Sequence, residues 1–246
     1  MAKRITSGIV YEGPSRFDGA PIVAIVNCLN GRSRNGKTGR MAQLYIIRSD
    51  MSPLAAIAAG LDSSVCNLCK HRGCPGGGFG TCYVDVGKSV ESVYRAYKRG
   101  SYQRISGRTA SDIARKHGVP IRLGAYGDPA ALPVSVLYDL TVGVRSTGYT
   151  HSWATSPEYK PFVMASVDNP DELTAAKGSG WRTFRTRLET ETLNAREIAC
   201  PASKEAGYRT TCANCTLCDG NGLPKSDVAI VVHGSGVKKY IAMRAI

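Results

Sequence analysis

Short apolar runs separated by polar, glycine-bearing segments recur along the whole chain. The first two runs, residues 21–28 and 42–48, are rich in Ile, Val and Tyr, and a polar loop over residues 30–40 joins them. β-Branched and aromatic residues between turn residues are typical of strands. The pattern therefore predicts a β-hairpin in the N-terminal part.

Strand-like runs then alternate with helical signals. Further strands are predicted at residues 120–125, 148–154, 162–167, 181–185, 197–200 and 228–232. Helices are predicted at residues 54–59, 90–97, 109–118 and 133–144, and from residue 169 onward. Prolines, Ser, Thr or Asn at helix starts and glycines at helix ends support these bounds. Thr109 with Asp112 is the predicted N-terminal cap of the third helix.

This alternation is typical of βα units around a largely parallel sheet. Six strands make most of a barrel, so the expected fold class is α/β, a partial (β/α) barrel with an N-terminal β-hairpin. We expect residues 1–60 to pack on the barrel and residues 61–246 to form it, as one compact unit. A chain of 246 residues with 43% apolar content can bury one such core.

The formal net charge of +13 attracts anionic partners such as nucleic acid, with modest basic clusters at residues 32–40 and 182–187. No apolar run is long enough to span a bilayer. The basic residues at the start are not followed by the apolar run of a secretion signal. We therefore expect a cytoplasmic protein without a membrane partner, in which thiols stay reduced rather than forming disulfides.

Eight of the nine cysteines form two groups. In the second group, Cys212, Cys215 and Cys218 follow the C-x2-C-x2-C spacing of ferredoxin-type iron–sulfur sites, and Cys200, followed by proline, is the expected fourth ligand. A zinc ribbon would instead give two separated C-x2-C knuckles. The spacing therefore favours a 4Fe4S cluster here.

The first group contains Cys66, Cys69, Cys74 and Cys82 in a glycine-rich loop, and either iron–sulfur or zinc suits it. Three ligands, Cys66, Cys69 and Cys82, would leave one iron of a 4Fe4S cluster open to a small molecule. A fourth ligand at Cys74 would close the site. One or two 4Fe4S clusters are expected, according to whether this loop binds iron–sulfur or zinc. The remaining Cys28 is expected to be a buried core residue.

Polar side chains follow the predicted strands: Asp128, His151, Trp153, Asp168, Cys200 and His233. In βα barrels the carboxyl ends of the strands carry the active site, because the loops converge there. Two structural alternatives stay open. The histidines can be ordinary hydrogen-bonded groups, and Asp168 can cap the helix that starts near residue 170.

The cysteine loop, the segment Arg122-Leu-Gly-Ala-Tyr-Gly127-Asp128-Pro129 and the βα units that follow resemble the radical S-adenosylmethionine superfamily. Its members hold a 4Fe4S cluster on three cysteines in an open (β/α)6 barrel. The cysteines here do not follow the family's C-x3-C-x2-C spacing. The whole chain is also similar to a cysteine-rich protein group encoded by bacteriophages and their hosts.

The resemblance implies that Cys66, Cys69 and Cys82 bind a reactive cluster whose open iron chelates S-adenosylmethionine. Gly127 and Asp128 would then receive the methionine amino group. The group at Cys200, Cys212, Cys215 and Cys218 would hold an auxiliary cluster. A redox enzyme of phage origin acting on a small molecule is the implied function.

Two other interpretations compete with this one. A basic module stiffened by two zinc sites would bind nucleic acid through Arg, Tyr and Trp side chains. Separately, residues 31–38 match the G-x4-G-K-[ST] phosphate-binding loop. We expect that match to be accidental, because a loop and a strand follow it, whereas a working phosphate loop opens into a helix.

Overall fold

The computed structural model describes residues 5–33, 35–73, 80–221, 225–234 and 236–244. The strands of these residues are β1 (Gly8–Pro14), β2 (Pro21–Asn27), β3 (Ala42–Arg48), β4 (Ile121–Tyr126), β5 (Ser146–Thr150), β6 (Met164–Val167), β7 (Thr183–Arg187), β8 (Glu197–Ala199) and β9 (Asp227–Val231). The helices are α1 (Pro53–Ala58), α2 (Ser63–Cys66), α3 (Glu91–Lys98), α4 (Gly107–Lys116), α5 (Val134–Thr141), α6 (Pro170–Gly178), α7 (Cys212–Cys215) and α8 (Val237–Arg244).

The strands form one sheet in the order β1-β2-β3-β4-β5-β6-β7-β9-β8. Each neighbouring pair from β3 to β8 is parallel, and only the pairs of β2 with β1 and β3 are antiparallel. The expected α/β class with a largely parallel sheet is confirmed. β8 precedes β9 in the chain, but in the sheet it lies beyond β9 and forms the edge.

The predicted hairpin is confirmed as β2 and β3, which pair from Ile22 with Arg48 to Asn27 with Gln43. Both strands are buried over nearly their whole length, which explains why their sequences are continuous apolar runs. β1 was not predicted. Only its first two residues are buried, so its sequence lacks a clear apolar period.

The six later strands are confirmed with shifted bounds, and two details were wrong. β5 ends at Thr150, so His151 and Trp153 lie in the loop after the strand rather than in it. The cap of α4 is Ser106, not Thr109 with Asp112. The Ser106 hydroxyl accepts a hydrogen bond from the Thr109 backbone N–H at 2.9 Å, so the helix begins at Gly107.

The main hydrophobic core draws on both sides of residue 60. It joins the buried faces of β2 and β3 to those of β4 and β6 and to the helices that cover them. A second, smaller core around Met164, Val228 and Ile230 includes Cys200 and Cys218. None of the helices in the described part of the chain is long and apolar enough to cross a bilayer.

A buried ion pair fixes the edge strand that leads to Cys200. Arg185 of β7 donates two hydrogen bonds to the Glu197 carboxylate of β8, both at 2.7 Å. Their side chains are 4% and 0% exposed. Losing one partner of such a pair leaves a buried charge without compensation.

We therefore predict that Arg185→Met lowers the free energy of unfolding by about 3 kcal/mol. Urea denaturation of the purified protein measures the change. Arg115→Met is the matched control, because Arg115 pairs with Asp112 at the surface, where such pairs contribute about 0.5 kcal/mol. Equal losses in the two variants would contradict the assigned role of Arg185.

Candidate functional site

A cavity of about 290 Å³ opens on one face of the sheet. Arg122, Gly124 and Tyr126 of β4 line it, as do Phe184 and Thr186 of β7. Asp128, His151 and His233, which follow β4, β5 and β9, line it as well. The cavity therefore lies where the loops after the parallel strands converge.

The first cysteine group borders this cavity. Cys66 is the last residue of α2, and Cys66, Cys69 and Cys82 all line the cavity wall. The Cys69 N–H donates to the Cys66 carbonyl at 3.1 Å, and the Cys82 N–H donates to the His71 carbonyl at 3.0 Å. These two hydrogen bonds bring the end of the loop, at Cys82, back beside its beginning. Cys74, the candidate fourth ligand, lies outside the described residues.

Gly80 lets the two ends of this loop approach each other. A Cβ atom at this position would lie 1.9 Å from the Arg72 carbonyl oxygen and 2.2 Å from that of His71. Only glycine fits so close a crossing of two backbone segments. Gly80 thus allows the chain to place Cys82 beside the start of the loop.

The three thiols of the first group lie in a setting that disfavours thiolate anions. Burial raises the pKa of Cys66 well above its ordinary value, and the neighbouring Cys69, Cys82, Asp62 and Asp128 raise it further. Burial likewise raises the pKa of Cys69 to about 12. A bound metal would supply the missing positive charge and deprotonate these thiols. Three thiols on one cavity wall are a donor set that zinc and iron–sulfur sites both use.

The second cysteine group borders a smaller cavity beside the first. Cys200 directly follows β8, and Cys212 and Cys215 are the first and last residues of α7. Thr216, with φ of 49°, ends that helix, and Cys218 lies two residues farther along the chain. All four cysteines line the smaller cavity, and Cys212 also lines the larger one. The two groups are thus adjacent in space, although more than a hundred residues separate them in sequence.

Gly127 lies in the wall of the larger cavity, and so does Asp128, whose side chain also caps the short 3-10 turn that begins at Pro129. Gly127 has φ of +81°, and a Cβ there would lie 2.6 Å from the Ile46 carbonyl oxygen, so only glycine fits. Asp128 Oδ2 accepts hydrogen bonds from Thr150 Oγ1 at 3.0 Å and the His151 N–H at 2.9 Å. These bonds hold the carboxylate in a fixed orientation.

One acceptor position of Asp128 remains for a ligand. Oδ1 accepts a single hydrogen bond, from the Ala130 N–H at 2.9 Å, and a carboxylate oxygen has room for two. The predicted role of this residue in holding an amino group is compatible with that capacity. It remains a prediction.

A histidine–aspartate pair beside the cavity was missed by sequence reasoning. His71 Nε2 lies 2.8 Å from Asp168 Oδ2, and His71 Nδ1 lies 2.5 Å from Thr81 Oγ1. Ligand atoms of His71, His151 and Asp168 all lie within 4.8 Å of one another. Lys70 Nζ, 3.2 Å from Asp168 Oδ2, already supplies the positive charge that a metal ion would bring. The arrangement is therefore a hydrogen-bonded network that ties the cysteine loop to β6.

The alternative that Asp168 caps α6 is wrong. Asn169 is the cap, and its side-chain oxygen accepts a hydrogen bond from the Glu172 N–H at 2.8 Å. His233 lines the cavity, where its Nε2 lies 2.8 Å from Lys37 Nζ. The position of His71, two residues after Cys69, was the available clue to the missed pair.

The segment that matches a phosphate-binding loop does not form one. No helix follows residues 31–38, and the chain passes directly into β3, as expected. The expectation that Cys28 is buried is wrong. It is half-exposed, with φ of 62°, and its thiol donates to the Arg32 carbonyl at 3.6 Å.

Comparison with protein-family models, with curated proteins and with solved structures found no match to this chain.

Asp168 gives a pH-dependent prediction. Burial opposes its ionisation, but the hydrogen bond from His71 and the nearby His71, His151 and Lys70 side chains outweigh burial and lower its pKa to about 2. The ionised form therefore stabilises the fold above the unfolded pKa of about 4 by about 2 kcal/mol, and this contribution is lost as the pH falls towards 2.

We predict that Asp168→Asn lowers the free energy of unfolding by about 2 kcal/mol at pH 7. The difference from the wild type should shrink below pH 4, because the Asp168 carboxylate then binds a proton in the unfolded wild type while it stays ionised in the folded one down to about pH 2. Denaturant unfolding of both proteins between pH 7 and pH 3 measures it. A difference that stays constant over this range would show that Asp168 does not act through its charge.

Proposed function

We propose that this chain is an iron–sulfur protein with two 4Fe4S clusters beside one substrate cavity. The observation that carries the proposal is that the first cysteine group lines that cavity and the second lines a smaller one, while Cys212 lines both. Cys66, Cys69 and Cys82 would hold the first cluster, and the remaining group would hold the second. When bound, a cluster with one open iron supplies an electron and a coordination position for a small molecule.

The finer proposal is a partial (β/α) barrel used in the manner of the radical S-adenosylmethionine enzymes. The three-cysteine group, Gly127 and Asp128 border the same cavity at the carboxyl ends of parallel strands, which supports it. The free acceptor position on Asp128 suits an amino group. In this proposal S-adenosylmethionine binds between Asp128 and the open iron.

The zinc and nucleic-acid interpretation receives less support. Residues 182–187 formed one of the basic clusters in the sequence, but their arginines turn inward. Arg182 pairs with Asp219, Arg185 with Glu197 and Arg187 with Glu205. These charges are used inside the fold and are not available to a phosphate backbone.

The cysteine assignment is tested by removing one group at a time. We predict that Cys212→Ser with Cys215→Ser, and separately Cys66→Ser with Cys69→Ser, each removes about four irons per chain, because each pair belongs to a different cubane. The Cys212→Ser, Cys215→Ser substitutions should also destabilise the fold, because metal binding contributes folding free energy. Iron and sulfide analysis of anaerobically purified protein measures the loss.

Cys28→Ser is the matched control, since Cys28 lines neither cavity, and it should keep the full iron content. Wild-type iron in either double variant would refute the assignment for that group.

A second prediction concerns the open iron. Adding S-adenosylmethionine to the reduced protein should change the electron paramagnetic resonance spectrum of the cluster on Cys66, Cys69 and Cys82. The Cys212→Ser, Cys215→Ser variant should keep that change, and the Cys66→Ser, Cys69→Ser variant should lose it. An unchanged spectrum in iron-replete wild type would reject the radical-enzyme relationship and leave the iron–sulfur assignment standing.

A further inference from the structure

We propose that Lys37 and Arg122 form an oxyanion site in the larger cavity, which binds the phosphate or carboxylate group of a small substrate. This inference names the substrate class of the site described above and rests on the proposed function. It follows from the charges, the hydrogen bonds and the position of these two side chains.

Both side chains line the cavity without a carboxylate partner. Within the described part of the chain, no Asp or Glu oxygen lies within 4.0 Å of the charged nitrogens of either residue. By contrast, the Arg185 guanidinium pairs with the carboxylates of Glu191 and Glu197. Cations removed from water are costly unless an anion compensates them. The pair therefore lacks a counter-charge that a ligand can provide.

Each cation is held in place by a neutral partner that leaves other donors free. Arg122 donates from Nη2 to the Tyr83 hydroxyl, and its guanidinium lies 5.8 Å from the centre of the Tyr83 ring. A guanidinium has five N–H donors, and its planar fork matches the oxygens of phosphate and carboxylate. The contact with Tyr83 thus orients the group without neutralising it.

Lys37 is arranged in the same way. His233 Nδ1 lies 3.0 Å from the Val231 carbonyl oxygen, which can only accept a hydrogen bond. His233 Nδ1 is therefore the protonated nitrogen, and Nε2 accepts from Lys37 Nζ at 2.8 Å. An ammonium group has three N–H donors, so the bond to His233 leaves two of them for an anion.

The backbone fixes this site between the two cysteine groups. The Lys37 and Thr38 carbonyls accept hydrogen bonds from the N–H groups of Cys212 at 3.1 Å and Ala213 at 2.9 Å. Arg122 projects from β4 to the same face as Gly124. An oxyanion on these cations therefore lies beside the space where Cys66, Cys69 and Cys82 would hold the open cluster.

The size of the cavity favours a small molecule over a polymer. Its volume of about 290 Å³ is near the lower end of ordinary ligand pockets. Much of its wall is aromatic or aliphatic, and its polar side chains include His71, Asp128, His151 and His233 besides the two cations. A substrate with one anionic group and a compact body matches this lining.

The alternative role of Lys37 and Arg122 is to balance the charge of thiolates in the cysteine groups. That role requires no ligand, and it predicts that removing either cation lowers the iron content. The oxyanion role predicts that removing either cation weakens anion binding at unchanged iron content.

The test is isothermal titration of the anaerobically purified, cluster-loaded full chain with inorganic phosphate and, separately, with succinate. We expect one saturable site for at least one of the two anions, and the stronger binder identifies the substrate group. Lys37→Met and Arg122→Gln should each weaken that binding at least about tenfold, a loss typical of a charge-assisted hydrogen bond. Lys37→Arg should restore most of it.

Lys116→Met and Arg99→Gln are the matched controls, since both residues are exposed and neither lines the cavity. They should bind as the wild type does. Circular dichroism and iron analysis of every variant establish that the fold and clusters are intact.

The inference is overturned if neither anion binds saturably, or if Lys37→Met and Arg122→Gln bind as tightly as their controls. It is also overturned if either variant loses iron and its anion binding is unchanged, because the cations would then serve the clusters. Anion binding that depends on Lys37 and Arg122 in a chain without iron would support the oxyanion site and refute the proposed function. Iron-replete protein that binds neither anion would refute the oxyanion site and leave the proposed function standing.

Discussion

The parallel arrangement of the strands from β3 to β8 is the constraint on which the site depends. Parallel strands end at the same edge, so the loops that follow them meet, however far apart they lie in sequence. The loop that begins at Cys66 precedes β4, and the group from Cys200 to Cys218 lies between β8 and β9. The sheet brings the first group to the larger cavity and the second to the smaller one, and Cys212 lines both. The backbone bonds from Cys212 and Ala213 to the Lys37 segment join the second group to the N-terminal part.

Charge pairing separates the structural cations from the two that we propose to bind an anion. The arginines of β7 and its neighbours meet carboxylates inside the fold, where a lone charge would be destabilising. Among the described residues, Lys37 and Arg122 have only neutral hydrogen-bond partners, His233 and Tyr83. The internal ion pairs cancel within the net charge of +13 and leave no trace in it. Counting charges along the chain does not distinguish these uses, because pairing depends on which residues the fold brings together.

Local patterns were sufficient for much of the fold. The buried strands β2 and β3 form continuous apolar runs, and Asn169 with Pro170 starts α6 by the ordinary rules of capping. β1 was missed because it is half-exposed and takes its stability from pairing with β2. The His71–Asp168 bond joins residues 97 positions apart, so no local pattern reports it. The grouping of cysteines was visible in the sequence, whereas the cavity they share follows only from sheet order.

The central claim is that the two cysteine groups hold iron–sulfur clusters beside one cavity. The most direct measurement is the visible absorption spectrum of anaerobically purified wild-type protein, with iron, sulfide and zinc determined on the same sample. The account predicts a brown protein with about eight irons and matching sulfide per chain, as two cubane clusters require. A colourless protein that carries zinc and no sulfide would contradict it.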